Sequence, residues 1–75
     1  MPQTLVNRLI DVTANWNEHH LVPEEQKVRC RAIGEALNKA GGLGAMQDAY
    51  YAAKARNRCA SLVQAYWDGV GEWRW

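Results

Sequence analysis

Few side chains in this chain are of types that do chemistry. They are Cys30, Cys59, the pair His19-His20 beside Glu18, and scattered carboxylates. A helical zinc pair needs histidines four residues apart, as in H-E-x-x-H. Adjacent histidines on a helix diverge by about 100°, and no third ligand follows at metal spacing. His19 and His20 therefore read as an exposed helix end or loop. A reactive thiol needs a nearby cation or helix N-terminus to lower its pKa. Cys59, after Arg58 at a helix start, fits that better than Cys30, but a free cysteine more often fills a small apolar site. Asp68 and Glu72 are four apart, and Glu35 and Asp48 stand elsewhere. Paired carboxylates do acid–base work only in a cleft that shifts their pKa. The glycine run AGGLG, residues 40–44, follows a helix rather than a strand and lacks the lysine of a phosphate loop. The expectation is no catalytic, cofactor-binding or metal site, and a protein that is not an enzyme.

Charge raises the next possibility. Of 75 residues, nine are Lys or Arg and eight Asp or Glu, a net +1. Residues 1–26 carry one Arg against four acids, residues 27–58 seven Lys/Arg against two acids, and residues 59–75 one Arg against two acids. The basic middle suits an acidic surface or a phosphate backbone, and it equally suits the solvated faces of two helices. Two helices joined through AGGLG resemble a helix-turn-helix, with Gln47, Lys54 and Arg56 as contacts. The early part of that reading helix is GAMQDAYY, which offers Asp48 and no base-reading Arg where base contacts normally fall. Nucleic-acid binding through residues 28–57 is thus an alternative rather than the first reading.

The elements that must position these residues are helical. Leu5, Leu9, Val12 and Trp16 repeat at helical spacing and predict a helix from about Gln3 to Asn17. NEHHLV reads as a connection. Pro23 at the first helical position, with Glu24 and Glu25 facing the positive end of the dipole, starts a second helix that runs to about Lys39. Its apolar stripe is Val28, Ala32, Ile33, Ala36, Leu37 and Ala40. Gly34, inside it, predicts close approach of a neighbour such as a Trp face. Residues 40–44 then form a turn, with Gly41 as the stop. A third helix follows from about Gly44 to Arg56, with Met46 and Tyr50 inward. A fourth spans about Arg58 to Trp67, with Leu62, Val63, Tyr66 and Val70 inward and Gly69 left-handed just past its end. The expected fold is all-α: one domain over 1–75, a compact bundle of about four short helices with an aromatic C-terminal tail packed over the core. The expected core is Leu9, Trp16, Ile33, Leu37, Met46, Tyr50, Leu62, Tyr66, Trp67, Val70 and Trp73. Asp68 is expected to bond local backbone N–H groups, and Gly71 to let the tail fold back.

From about Arg31 onward the chain resembles a group of short, uncharacterised proteobacterial proteins, some phage- or plasmid-borne. The residues that carry the likeness are Gly41-Gly42, Met46-Gln47, Tyr50 and Trp67-Asp68-Gly69-Val70-Gly71 with Trp73, a WDG-[VI]-G-x-W tail. The likeness covers about sixty per cent of the chain. It implies no activity, and it implies that the tail is a structural signature and that the origin is bacterial or a mobile element. Trp, Tyr and Arg dominate protein interfaces, so Arg56, Arg58, Arg74 and Trp75 are candidate partner contacts. The leading expectation is a small protein-binding module; a mobile-element origin would make it an inhibitor of a host defence or regulatory complex. A homo-oligomeric structural protein, such as a homodimer, is a further alternative, since so short a chain buries little surface alone. Two cysteines, no basic-then-apolar leader and no apolar run near the ~20 residues of a membrane span lead to the expectation of a cytoplasmic protein with reduced thiols and no membrane contact.

Overall fold

The computed structural model describes residues 3–16 and 22–73. The chain is helical, with no strand among the described residues. Helix α1 spans Gln3–Thr13, α2 spans Glu24–Arg56, a 3₁₀ segment spans Arg58–Leu62 and α3 spans Val63–Tyr66. The expected bundle of about four helices is therefore corrected to three α-helices and a 3₁₀ segment among the described residues. The radius of gyration is 10.9 Å, close to the ~11 Å of a folded chain this long.

Helix α1 ends at Thr13 rather than Asn17. The Thr13 hydroxyl, fully buried, sits 3.0 Å from the Leu9 carbonyl and 3.2 Å from that of Ile10 and donates back into its own helix. That satisfies a polar group the core would otherwise penalise. Trp16, just beyond, is buried and donates its indole N–H to Gln26 Oε1 at 2.7 Å. Its ring meets Tyr66 edge-on at 5.6 Å.

The largest departure from expectation is α2. Pro23 is its N-cap rather than its first residue, so the helix starts one residue later than expected, and the Pro23 carbonyl accepts from the Gln26 and Lys27 N–H groups. AGGLG does not end the helix at Gly41. Within it Gly42 alone leaves helical geometry, at φ 67° and ψ −155°. That conformation is close to glycine-only, so one residue suffices to break α2 into two limbs. The helix resumes at once because the alanine-rich sequence that follows has high helix propensity.

Asn57 ends α2 in an extended conformation and joins three segments. Its Nδ2 donates to the Thr13 carbonyl at 2.6 Å and the Trp16 carbonyl at 2.9 Å, and its Oδ1 accepts from the Cys59 N–H at 3.0 Å. The expected fourth helix is instead a 3₁₀ segment followed by a single α turn. Three residues per turn bring 57, 60 and 63 into line: Ala60 and Val63 are fully buried, and Leu62 is turned out, 38% exposed. Leu62 is therefore not a core residue.

The core gathers Leu9, Trp16, Ile33, Leu37, Met46, Tyr50, Trp67 and Val70, with Tyr66 and Trp73 half-buried against it. Val22, Cys30, Ala49, Ala53, Ala60 and Val63 complete it. Trp67 is its keystone. The indole N–H donates to the Cys30 carbonyl at 2.7 Å, and a Cβ at Gly34 would lie 2.6 Å from that nitrogen. The approach anticipated at Gly34 is made by this Trp. Gly69 and Gly71 carry φ of 83° and 54° and turn the tail back. Asn38 Oδ1 then accepts from the Glu72 N–H at 3.2 Å. Asp68 is exposed, and the tail's side-chain anchor is Asn38 rather than Asp68. Trp73 packs edge-on against Trp67 at 4.9 Å and Tyr50 at 5.5 Å.

Candidate functional site

The stripe expected along the first limb of α2 divides in two. Cys30, Ile33, Gly34 and Leu37 face inward. Val28 is 59% exposed and Ala32 is exposed too, so neither is a core residue. Helix α1, α3 and the tail cover one side of the limb, and the apolar sequence is wider than that cover.

Val28 and Ala32 instead line a groove of about 500 Å³ between α2 and α3. Ala65 and Tyr66 form its other wall, and Glu24, Lys27, Arg31 and Glu35 edge it. Positions 24, 28, 31, 32 and 35 follow helical periodicity, so this is one continuous face of α2. Tyr66 is held from behind by Trp16. Lys27 Nζ lies 5.6 Å over the Tyr66 ring and 3.8 Å from Glu24 Oε2. Burial raises the Tyr66 pKa, and the Cys30 thiol, once ionised, and the Glu24 carboxylate add to the rise. The phenol is therefore a neutral wall over the physiological range. Arg29 is engaged by Glu25 at 2.6 Å. Arg31 makes no ion pair among the described residues, leaving its guanidinium open at the groove's edge.

The other sequence candidates are dispersed. Arg56 and Arg58 are exposed, and neither is a lining residue of the groove. Arg74 and Trp75 lie outside the described residues, as do Glu18, His19 and His20. Gln47 is half-buried, and Lys54 and Arg56 are exposed on the second limb. Glu35, Asp48, Asp68 and Glu72 are all exposed, and none lies in an enclosed cleft. Cys30 is buried, with its pKa pushed up from 9.0 to about 12 by burial, partly offset by the Trp67 indole. Its thiol is shielded from solvent, whereas Cys59 is half-buried. Among the described residues no three His, Cys, Asp or Glu side chains come together as a metal set, and no helix is long and apolar enough to cross a membrane.

Val28 and Ala32, expected in the buried stripe, line the groove instead, whereas Leu62, also turned out, does not. A signal was available: Val28 and Ala32 alternate with Lys27, Arg31 and Glu35, whereas Ile33 and Leu37 continue the buried stripe without them. Fold and groove together define, among the described residues, an all-helical protein in which Val28 and Ala32 lie open on a face of α2 edged by charge. No protein-family model, curated protein or solved structure matches the chain.

Proposed function

We propose that this chain is a small non-enzymatic protein-binding module whose docking face is the groove between α2 and α3. The observation that carries the reading is Val28, 59% exposed at the start of the apolar stripe of α2, with Ala32 exposed beside it. Its occupant is an amphipathic helix of a partner protein. Helix-in-groove recognition uses apolar anchors at helical spacing. Val28, Ala32, Ala65 and Tyr66 receive them, and the small alanines allow close approach. Arg31 supplies the charge that an acidic residue on the partner's helix would meet. Burying that pair inside a filled groove fixes orientation more than it adds affinity. Were the chain of mobile-element origin, the partner to seek would be a host defence or regulatory complex, which the module would inhibit.

The test is a photo-crosslinking amino acid at position 28, with position 61 as control, in the native cells. The expected result is an adduct with one defined protein from position 28, lost when Arg31→Glu is added. Adducts containing two copies of this chain would establish the homodimer instead. No adduct from position 28 would reject the docking face.

A further inference from the structure

Gly42 divides the chain into two halves that hold each other. The Asn57 amide donates to the Thr13 and Trp16 carbonyls, the Trp67 indole donates to the Cys30 carbonyl, and Asn38 accepts from the Glu72 N–H. Trp16 meets Tyr66 edge-on, and Lys27 lies over the same ring. In every one of these pairs one residue precedes Gly42 and the other follows it. The hinge between the halves is a single residue, since Gly42 alone is non-helical within the 33 residues of α2. Two neighbouring glycines are fitted to the kink. Gly42, at φ 67° and ψ −155°, holds a conformation that a residue with a Cβ adopts only under strain. At Gly41 an added Cβ would lie 2.9 Å from the Ala45 Cβ, whereas Cβ atoms four residues apart on a straight helix stand about 5–6 Å apart. A straight α2 would remove both constraints. It would also be about 50 Å long at 1.5 Å per residue, against a longest extent of 33 Å for the whole molecule. Straightening therefore carries the two halves of one chain apart. Each half is then left with a surface that fits the other half, and a second copy opened in the same way supplies it.

We infer that the chain exchanges halves with a second copy of itself: α2 straightens at Gly42, and the half after Gly42 in each copy packs on the half before it in the other. Exchange of an identical element is a low-cost route to a dimer, because the same contacts are remade between copies. The hydrogen bonds of Asn57, Trp67 and Asn38 and the Trp16–Tyr66 contact all re-form in that arrangement. The loss is the freedom of two separate chains, and the gain is helix carried through the break. This dimer differs from one that buries the Val28 face, because the groove is rebuilt with Val28 and Ala32 from one copy and Ala65 and Tyr66 from the other. It does not rest on the groove reading, since neither Gly41 nor Gly42 lines the groove.

Sedimentation velocity on the full chain and its glycine variants tests the inference. The parent, refolded from denaturant at about millimolar concentration, where exchange competes with folding alone, should yield a dimer fraction that grows with concentration. Gly42→Ala should raise the dimerisation constant by about 5- to 150-fold per chain, the equivalent of relieving one strained residue. Gly41→Ala should shift it in the same direction. Gly44→Ala is the control: Gly44 is already helical and its added Cβ meets nothing within 4 Å, so it should dimerise no more than the parent. Val28→Asp should leave the dimer intact. In a mixture of isotope-labelled and unlabelled Gly42→Ala chains, filtered NOEs should place the Trp67 indole of one copy against Gly34 of the other. Circular dichroism establishes that each variant is folded; should Gly42→Ala not fold, the parent and Gly41→Ala decide the question, with the NOEs read on their dimers. The inference is overturned by a parent that stays monomeric after refolding at that concentration. It is overturned equally by a folded Gly42→Ala or Gly41→Ala that dimerises no more than the parent, or by a dimer whose Trp67–Gly34 NOEs all arise within one chain.

Discussion

At the scale of single residues, two glycines in the same helix separate propensity from packing. Alanine is worth ~1 kcal/mol over glycine inside a helix. At Gly44 an added Cβ meets nothing within 4 Å, so Gly44→Ala should stabilise by up to that amount. At Gly34 the same Cβ lies 2.6–2.9 Å from three atoms of the Trp67 indole. Overpacking of that kind costs about 1–3 kcal/mol, and it also threatens the hydrogen bond to the Cys30 carbonyl. Gly34→Ala should therefore destabilise, and Trp67→Ala should cost about 3–5 kcal/mol. Urea titrations of the three variants check the order; a Gly34→Ala as stable as the parent would mean that Trp67 is free to move. Cys30 gives a pH dependence. Its thiol stays protonated in the fold up to about pH 12, whereas the unfolded chain ionises near 9.0. Between those values the native state holds the extra proton, so stability falls as pH rises from about 9 toward 12. Tyr66, also raised, acts in the same direction. Cys30→Ala should flatten the alkaline slope measured by denaturant midpoints across that window.

At the scale of elements, the fold depends on junctions whose polar groups are matched. Asn57 joins the end of α1, the end of α2 and the start of the 3₁₀ segment through three hydrogen bonds. Asn57→Asp keeps size and shape and retains the acceptor for Cys59. It replaces an amide donor by an oxygen facing two carbonyls. Leaving such groups unpaired costs about 1–3 kcal/mol each, so a clear drop in melting temperature is expected. Asn57→Ala with an equal drop would show that donation to Thr13 and Trp16 is what counts; a smaller drop would isolate the oxygen–carbonyl repulsion. Gly42 plays the opposite part, since it frees the chain rather than tying it. The tail then spans the break, with Glu72 bonded to Asn38 before it and Trp73 against Tyr50 after it. The relative placement of the two limbs of α2 is thus fixed by residues more than twenty positions away.

At the scale of the whole molecule, the core uses one face of each helix and leaves the Val28 face of α2 over. An exposed valine in mid-helix contributes little to folding, and substitutions at such sites usually change stability by less than about 1 kcal/mol. Val28→Asp should accordingly melt like the parent while failing to co-purify the protein captured from position 28. A large loss of stability would mean that Val28 is buried in solution by a second copy, and light scattering would then report a dimer.

The sequence by itself determined the helical class, the buried stripe through Leu9, Ile33, Leu37, Met46 and Tyr50, and the need for a large neighbour at Gly34. Those properties follow from local periodicity and from the size of a missing side chain, and both are written in adjacent residues. The tertiary structure decided where periodicity stops being buried. Val28 and Ala32 keep the helical repeat as well as Ile33 does, and the charged residues beside them mark only the edge of the stripe; burial itself depends on what packs opposite and on how far α3 reaches. The same holds for Leu62, turned outward by a 3₁₀ winding that spacing alone reads as α. It holds for Asn57 and Asn38 as well, whose partners lie 44 and 34 residues away.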